Sequence, residues 1–251
     1  MKVSIITVCL NSSKTITDCL NSIALQSYDN IESVLIDGGS TDNTLELITE
    51  FSHIIGYQIS VPKLGIYDAM NLGIERSSGD IIGILNSDDM LIDQTTIKRI
   101  VETFIDNPHI DAVYGDLVYV DVNNISKITR FWKAGNYSKF KFKLGWMPPH
   151  PTFYIKKSKL LEVGKYRNDL GTAGDYELML RAFLIKKIKA KYIPYILVKM
   201  RRGGVSNGSI KRRLNANHND RRAWEVNNIR PFLLFAILKP LRKIFQYLIK
   251  P

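Results

Sequence analysis

The chain has two cysteines, Cys9 and Cys19, and no Cys-x-x-Cys pair or mixed Cys/His cluster. Neither a disulfide framework nor a zinc site is indicated, and reduced thiols in a cytoplasmic protein are expected. Long apolar runs are also missing. The N-terminal MKVSIITVCLN turns polar after a short apolar stretch, as a first strand does and a signal peptide does not. In RPFLLFAILKPLRKIFQYLIKP, residues 230–251, the longest apolar run is Phe232 to Leu238, seven residues against the roughly 20 that a spanning helix needs. No Gly-x-x-x-x-Gly-Lys-Ser/Thr loop occurs, and CLNSSKT follows the first apolar run where a dinucleotide enzyme would carry Gly-x-Gly-x-x-Gly. Those absences speak against a P-loop NTPase and a nicotinamide-dependent dehydrogenase. Low-complexity tracts are absent too, and 251 residues suffice for a well-buried core.

Acidic residues are scarce at one end only. Residues 199–251 hold 13 Lys and Arg against Asp220 and Glu225, so the net charge of +11 resides there and residues 1–198 are neutral. Such a tail suits nucleic acid or an anionic membrane surface. Leu241, Ile244, Phe245 and Leu248 recur at three- and four-residue spacing, with Arg242, Lys243 and Gln246 between them. Bulky apolar residues on one face and cations on the other favour a helix lying among lipid headgroups. A nucleic-acid tail would carry more cations and fewer aliphatics. A helix packed on its own domain or on a second subunit is the alternative, with less reason to be so basic. The expected partner is an anionic membrane surface through residues 231–251, with no nucleic acid; the oligomeric state is open.

Upstream, apolar β-branched runs alternate with helical spacing. VSIITVCLN (3–11) reads as a buried parallel strand and residues 12–27 as a helix through Ile16, Leu20, Ile23 and Ala24. Strands are expected at 31–36 and 54–61, a helix at 65–77, and a fourth strand in GDIIGILNSDD. AVYGDLVYV adds a strand, and 158–163 and 174–186 read as helices. This alternation predicts an α/β fold with a mostly parallel, doubly wound sheet flanked by helices. Residues 1–205 are expected to form one domain, split into 1–110 and 111–205, followed by a basic amphipathic extension over 206–251.

Open α/β sheets bind ligands beyond the carboxyl ends of their strands. Asn11, the run Asp37-Gly38-Gly39-Ser40-Thr41-Asp42 and the run Ser87-Asp88-Asp89 all follow apolar strands and would converge on one edge. Asp42 is placed to cap the following helix. Asp37 precedes two glycines and fits a cap less well. Paired carboxylates offer hard oxygen ligands to Mg²⁺ or Mn²⁺, whose coordination substrate phosphates commonly complete. Asp175 opens a helical run, where capping is the simplest role.

Five blocks in order, VSIITVCLN, IDGGSTDNT, GIYDAMNLGIERSSGDIIGILNSDD, MPPHPTFYIKKSKLLEVGKY and AGDYELMLR, resemble family 2 glycosyltransferases over residues 1–205. GIYDAMN with NSDD is similar to the branch that builds bacterial O-antigen, capsule and colanic acid. The resemblance implies the GT-A fold, Mg²⁺ or Mn²⁺, and inversion at the anomeric carbon. It implies a nucleotide-diphosphate sugar as donor, first a UDP-sugar of a hexose or N-acetylhexosamine, and a lipid-linked oligosaccharide acceptor at the cytoplasmic face of the inner membrane. Asp37 would contact the nucleobase, with Thr7, Asn11 and Asn71 in the nucleotide-sugar site. Asp88 would face the ribose, Asp89 would bind the metal and Asp175 would be the catalytic base. Many relatives carry a second aspartate at the position of Gly38 and an arginine at that of Met70. Arg201 and Arg202, in the glycine-bearing loop RRGGVSN, are then expected at the diphosphate. Trp146 and His150, in an aromatic, proline-rich segment, are expected on the acceptor side. A polyprenyl-phosphate glycosyltransferase and a non-catalytic nucleotide-sugar-binding protein are the alternatives.

Overall fold

The computed structural model describes residues 1–203, 210–229 and 246–247. Its first half runs β1 (Val3–Cys9), α1 (Ile16–Ala24), β2 (Ile31–Asp37), α2 (Thr44–Thr49), β3 (Ile55–Ser60), α3 (Ile66–Arg76), β4 (Ile81–Ile84), β5 (Asp89–Leu91) and α4 (Thr96–Asp106). Its second half runs β6 (Ala112–Val120), β7 (Ile128–Trp132), α5 (Lys139–Lys143), β8 (Tyr154–Lys156), α6 (Lys157–Val163), α7 (Gly174–Leu180), β9 (Ala190–Arg201) and α8 (Ile210–Glu225).

Among the described residues, one sheet runs β3-β2-β1-β4-β8-β6-β9-β5, with β7 on the other edge of β6. The block β3-β2-β1-β4 is parallel, as the apolar runs predicted. The rest corrects that prediction toward a mixed sheet: β8 is antiparallel to β4 and β6, β7 to β6, and β5 to β9, while β6 and β9 are parallel. Strands from both expected halves thus belong to one sheet. Every residue of β1 is buried, because helices cover both faces. One apolar cluster packs Ile6, Val34 and Ile36 against α3 and α7; a second packs Ile5, Leu20 and Leu35 with Ile97 and Phe104 of α4. Close strand approach at β4 needs Gly83, where a Cβ would fall 2.1 Å from the Tyr154 ring.

The expected extension begins as part of the body. Trp224 of α8 is fully buried, and its indole N–H donates to the Tyr176 hydroxyl of α7 at 3.0 Å. Apart from Gln246 and Tyr247, the segment 231–251, expected at a membrane surface, lies outside the described residues.

Candidate active site

The carboxyl ends of β1 and β2 are stitched into one rim. The Asn11 amide donates to Ser40 Oγ at 2.8 Å, and the Thr41 amide donates back to Asn11 Oδ1 at 2.9 Å. Ser12 N donates to Thr44 Oγ1 at 2.7 Å and Ser13 N to Asp42 Oδ2 at 3.1 Å. The Thr44 hydroxyl, foremost among its donors, holds the Asp42 carboxyl down to about 2. Asn11 takes a left-handed conformation at φ 51°, which leaves its exposed side chain at the rim.

Asp37 underlies this rim. It has no exposed surface, and Oδ2 accepts from Gly39 N at 2.9 Å, Ser40 N at 3.0 Å and Ser60 Oγ at 2.6 Å, while Oδ1 accepts from Ser40 Oγ. Burial pushes its pKa up, but these donors outweigh burial and hold the carboxyl below its ordinary value. The expected nucleobase contact is corrected accordingly, since its hydrogen-bonding edges are committed to the turn. Gly39 makes the turn possible, with φ +94° and a hypothetical Cβ only 2.7 Å from Pro62 Cα.

At the end of β4 the chain turns through Ser87, whose hydroxyl lies 2.8 Å from that of Ser12, and enters β5. Asp88 keeps partial exposure, whereas Asp89 has none. Asp89 Oδ2 accepts from Asn86 Nδ2 at 3.0 Å; Asp89 Oδ1 and Asn86 Oδ1 are buried without a donor among the described residues. Burial raises the pKa of both aspartates, most strongly for Asp89, where the Asp88 charge adds to it and Arg201 opposes it. Unsatisfied hard oxygens at paired carboxylates suit Mg²⁺ or Mn²⁺. The partly exposed member of the pair is Asp88, expected at the ribose, and the buried one is Asp89, expected at the metal.

Arg201, at the end of β9, is 5% exposed and ion-paired through Nη2 to Asp18 of α1. Its Nε and Nη1 have no acceptor among the described residues. A buried guanidinium with two free donors beside two aspartates fits a position for an oxyanion. Arg202 is exposed and contacts Val120 O through its amide at 3.1 Å. Asp18 was not singled out from sequence, where it is one polar residue in the first turn of a helix.

The other expected residues separate. Thr7 is fully buried in β1, its hydroxyl toward Cys19 of α1, and so lies beneath the cleft. Asn71 pins α3 to the segment after α6: Nδ2 donates to Tyr166 O at 2.9 Å and Oδ1 accepts from Tyr166 N at 2.8 Å. Both side-chain edges are used, which removes it from the donor site. Met70 is core. Trp146 donates to Ala134 O at 2.7 Å and packs among Tyr114, Tyr137, Phe142 and Phe183, a core role that replaces the expected sugar platform. His150 is also buried, its Nε2 2.8 Å from the Tyr166 hydroxyl.

Asp175 lies in the first turn of α7, two residues after the Ala173 cap position, where its carboxylate also satisfies one of that turn's free amides. Its Oδ1 accepts from Tyr176 N at 2.7 Å, and its side chain is partly exposed. Its charge reaches Tyr67, Tyr166, His150 and Tyr119. Tyr119 also feels Asp89, so the charges of Asp89 and Asp175 both act on one side chain. Tyr166 and Tyr119 were missed from sequence, where nothing sets them apart from other tyrosines.

Residues 4–183 match the profile of glycosyl transferase family 2. The chain belongs to this family. It is 28% identical over 208 residues to the PGL/p-HBAD biosynthesis glycosyltransferase of Mycobacterium bovis (strain BCG / Pasteur 1173P2), covering 81% of this chain and 78% of that one. It is 33% identical over 116 residues to the poly-beta-1,6-N-acetyl-D-glucosamine synthase of Staphylococcus epidermidis, 45% of this chain and 28% of that one. The crystal structure of S. aureus TarS 1–349 in complex with UDP-GlcNAc superposes with a TM-score of 0.65 at 20% identity, covering 98% of this chain and 78% of that one. The chain spans 43% of the longer TarS structure. The mannosyltransferase PcManGT from Pyrobaculum calidifontis, in complex with GDP-Man and Mn²⁺, gives 0.66 at 16% identity, with coverage of 96% and 69%. This family 2 glycosyltransferase therefore has the GT-A fold and is a transferase enzyme.

Proposed function

We propose that this family 2 glycosyltransferase moves a hexose or N-acetylhexosamine from a UDP-sugar to a hydroxyl of a lipid-linked oligosaccharide in cell-surface polysaccharide synthesis, with inversion and with Mg²⁺ or Mn²⁺. The observation that carries this reading is the pair of polar centres, Asp88–Asp89 with its unpartnered buried oxygen and the partly exposed Asp175, whose charges (Asp89 and Asp175) both act on Tyr119. The rim of Asn11, Ser40 and Thr41, held in shape by its own hydrogen bonds, would seat the nucleoside. Asp88 and Asp89, with Asn86, would hold the cation, and Arg201 would donate to the diphosphate. When bound, the cation supplies charge stabilisation to the leaving diphosphate.

Asp175 supplies the base. An acceptor hydroxyl is a weak nucleophile near neutral pH and needs a carboxylate to take its proton as it attacks. The Tyr176 amide fixes Oδ1, and Oδ2 takes the proton. Separate carboxylates for base and cation suit a single displacement. The nucleotide sugars in the TarS and PcManGT structures and the names of the sequence relatives support the donor class. No described helix is long and apolar enough to cross a membrane; a lipid-linked acceptor would be met at the surface, through residues 231–251.

The test is Asp175→Asn, assayed with a panel of UDP-, GDP- and dTDP-sugars. Transfer should fall by about 10²–10⁴-fold with donor binding kept. Undiminished transfer would remove Asp175 as base, and a wild-type chain that binds donor without turnover would leave only the binding-protein alternative.

A further inference from the structure

Arg130 of β7 is 9% exposed and makes no ion pair with any Asp or Glu. Residues outside the described set contain no Asp or Glu, so no acidic side chain is hidden there. Burying a guanidinium with no counter-ion among the described residues is costly. Its faces lie against two rings, Tyr119 at 4.3 Å and Tyr247 at 5.4 Å. Its edge meets a neutral group: Nε donates to Gln246 Oε1 at 2.7 Å, and Nη2 donates to the same oxygen. The fork of Nε and Nη2 matches phosphate geometry, and here it closes on a carboxamide oxygen.

Register places this arginine relative to the donor site. Arg130 pairs with Tyr119, Tyr119 with Met200, and Met200 with Asp89, in a row across β7, β6, β9 and β5. Paired positions send their side chains to one face of the sheet. Three strand spacings of about 4.8 Å put Arg130 roughly 14 Å from Asp89 along this row. Arg201, not Arg130, is the cation whose charge acts on Asp88 and Asp89, so the donor diphosphate already has its arginine.

We propose that Arg130 binds a phosphate group other than the donor's, and that Gln246 is the resident substitute which that phosphate displaces. The phosphate is free in solution or carried by a lipid. The lipid-borne source rests on the acceptor proposed above; the phosphate site does not. Gln246 and Tyr247 belong to the basic, apolar segment 231–251, so a lipid phosphate arriving here would engage the residues that now cover the arginine.

The experiment uses the full chain and two probes: inorganic pyrophosphate by titration calorimetry, and phosphatidylcholine vesicles with and without phosphatidic acid by co-sedimentation. Arg130→Gln should weaken binding of at least one probe by about tenfold, the scale of a charge-assisted hydrogen bond. Loss for pyrophosphate marks a soluble ligand, and loss confined to phosphatidic acid vesicles marks a lipid. Arg130→Lys keeps the charge without the fork and should restore binding only in part. Gln246→Ala, which spares the sheet, should tighten binding by removing the competing carboxamide. UDP binding should be unchanged in Arg130→Gln. Unchanged affinity for both probes in Arg130→Gln, or weaker binding in Gln246→Ala, overturns the proposal. A wild-type chain that binds neither UDP nor any UDP-sugar would instead sink the donor reading and leave this site standing.

Discussion

His150 and Tyr166 share a 2.8 Å hydrogen bond inside the wall that the Asp175 charge reaches. Burial holds the imidazole below its ordinary value, and Asp175 opposes that shift without cancelling it. A histidine depressed in the fold stays neutral there while the unfolded chain takes up its proton near pH 6.5. Its contribution to stability is therefore intact above about pH 6.5 and falls as the pH drops below it, by up to about 1.4 kcal/mol per pH unit. Chemical denaturation at about pH 8 and about pH 5 should show a smaller loss in His150→Gln than in the wild type. Equal losses would mean that His150 is protonated in the fold.

Asp88 and Asp89 are adjacent, but only Asp88 is exposed. Asp88→Asn should weaken Mn²⁺-dependent UDP binding by about tenfold or more, as removal of a metal ligand or its hydrogen-bonded support does. Asp89 has no exposed surface, so Asp89→Asn, which keeps its shape, should weaken binding less. Calorimetric titration of UDP with and without Mn²⁺ decides the order. The reverse ranking would make Asp89 the stronger cation ligand of the pair.

Much of the site was legible because polar runs directly follow apolar strands. The ends of β1, β2 and β4 do meet, and Asn11, Asp88 and Asp175 do keep exposure. Side-chain direction was not legible. In β1 every position is buried on one face or the other, so no polar alternation marks Thr7 as inward. Asn71 sits on a helix whose partner loop lies 95 residues away, and Trp146 faces a cluster built from distant aromatics. Strand β9 escaped because Pro194 interrupts it; the register against β6 shifts between Tyr192 and Ile196, where a proline has no N–H to donate. Strand β5 has three residues, too few for periodicity, and depends on β9.

Glu177, two residues after Asp175 in α7, is 1% exposed. Its carboxylate takes Arg181 Nε at 2.9 Å and Nη2 at 2.7 Å, and Asn227 Nδ2 at 3.0 Å. Arg181 also donates to Val163 O and Lys165 O, so one buried pair ties α7 to the end of α6 and to the turn after α8. Glu177→Ala strands the guanidinium and should cost about 3–5 kcal/mol. Urea unfolding at neutral pH measures it; a cost below about 1 kcal/mol would give the pair the weight of a surface salt bridge.

The last prediction concerns residues 231–251, which contain Lys239, Arg242, Lys243 and Lys250 and no acid. Each cation near an anionic surface is worth about 1 kcal/mol, and insertion of the apolar face adds to that. Deleting 231–251 should therefore release the protein from vesicles rich in phosphatidylglycerol. The wild-type chain should be only partly released by salt, which screens the cations and spares the apolar contact. A segment that instead packs on its own body would behave differently: the deletion would lower the unfolding temperature and leave co-sedimentation unchanged. Measuring both on the same pair of proteins separates the two, because Gln246 already contacts Arg130 while a surface-seeking segment must also reach lipid. Unchanged co-sedimentation after the deletion sinks the membrane role whatever happens to the unfolding temperature.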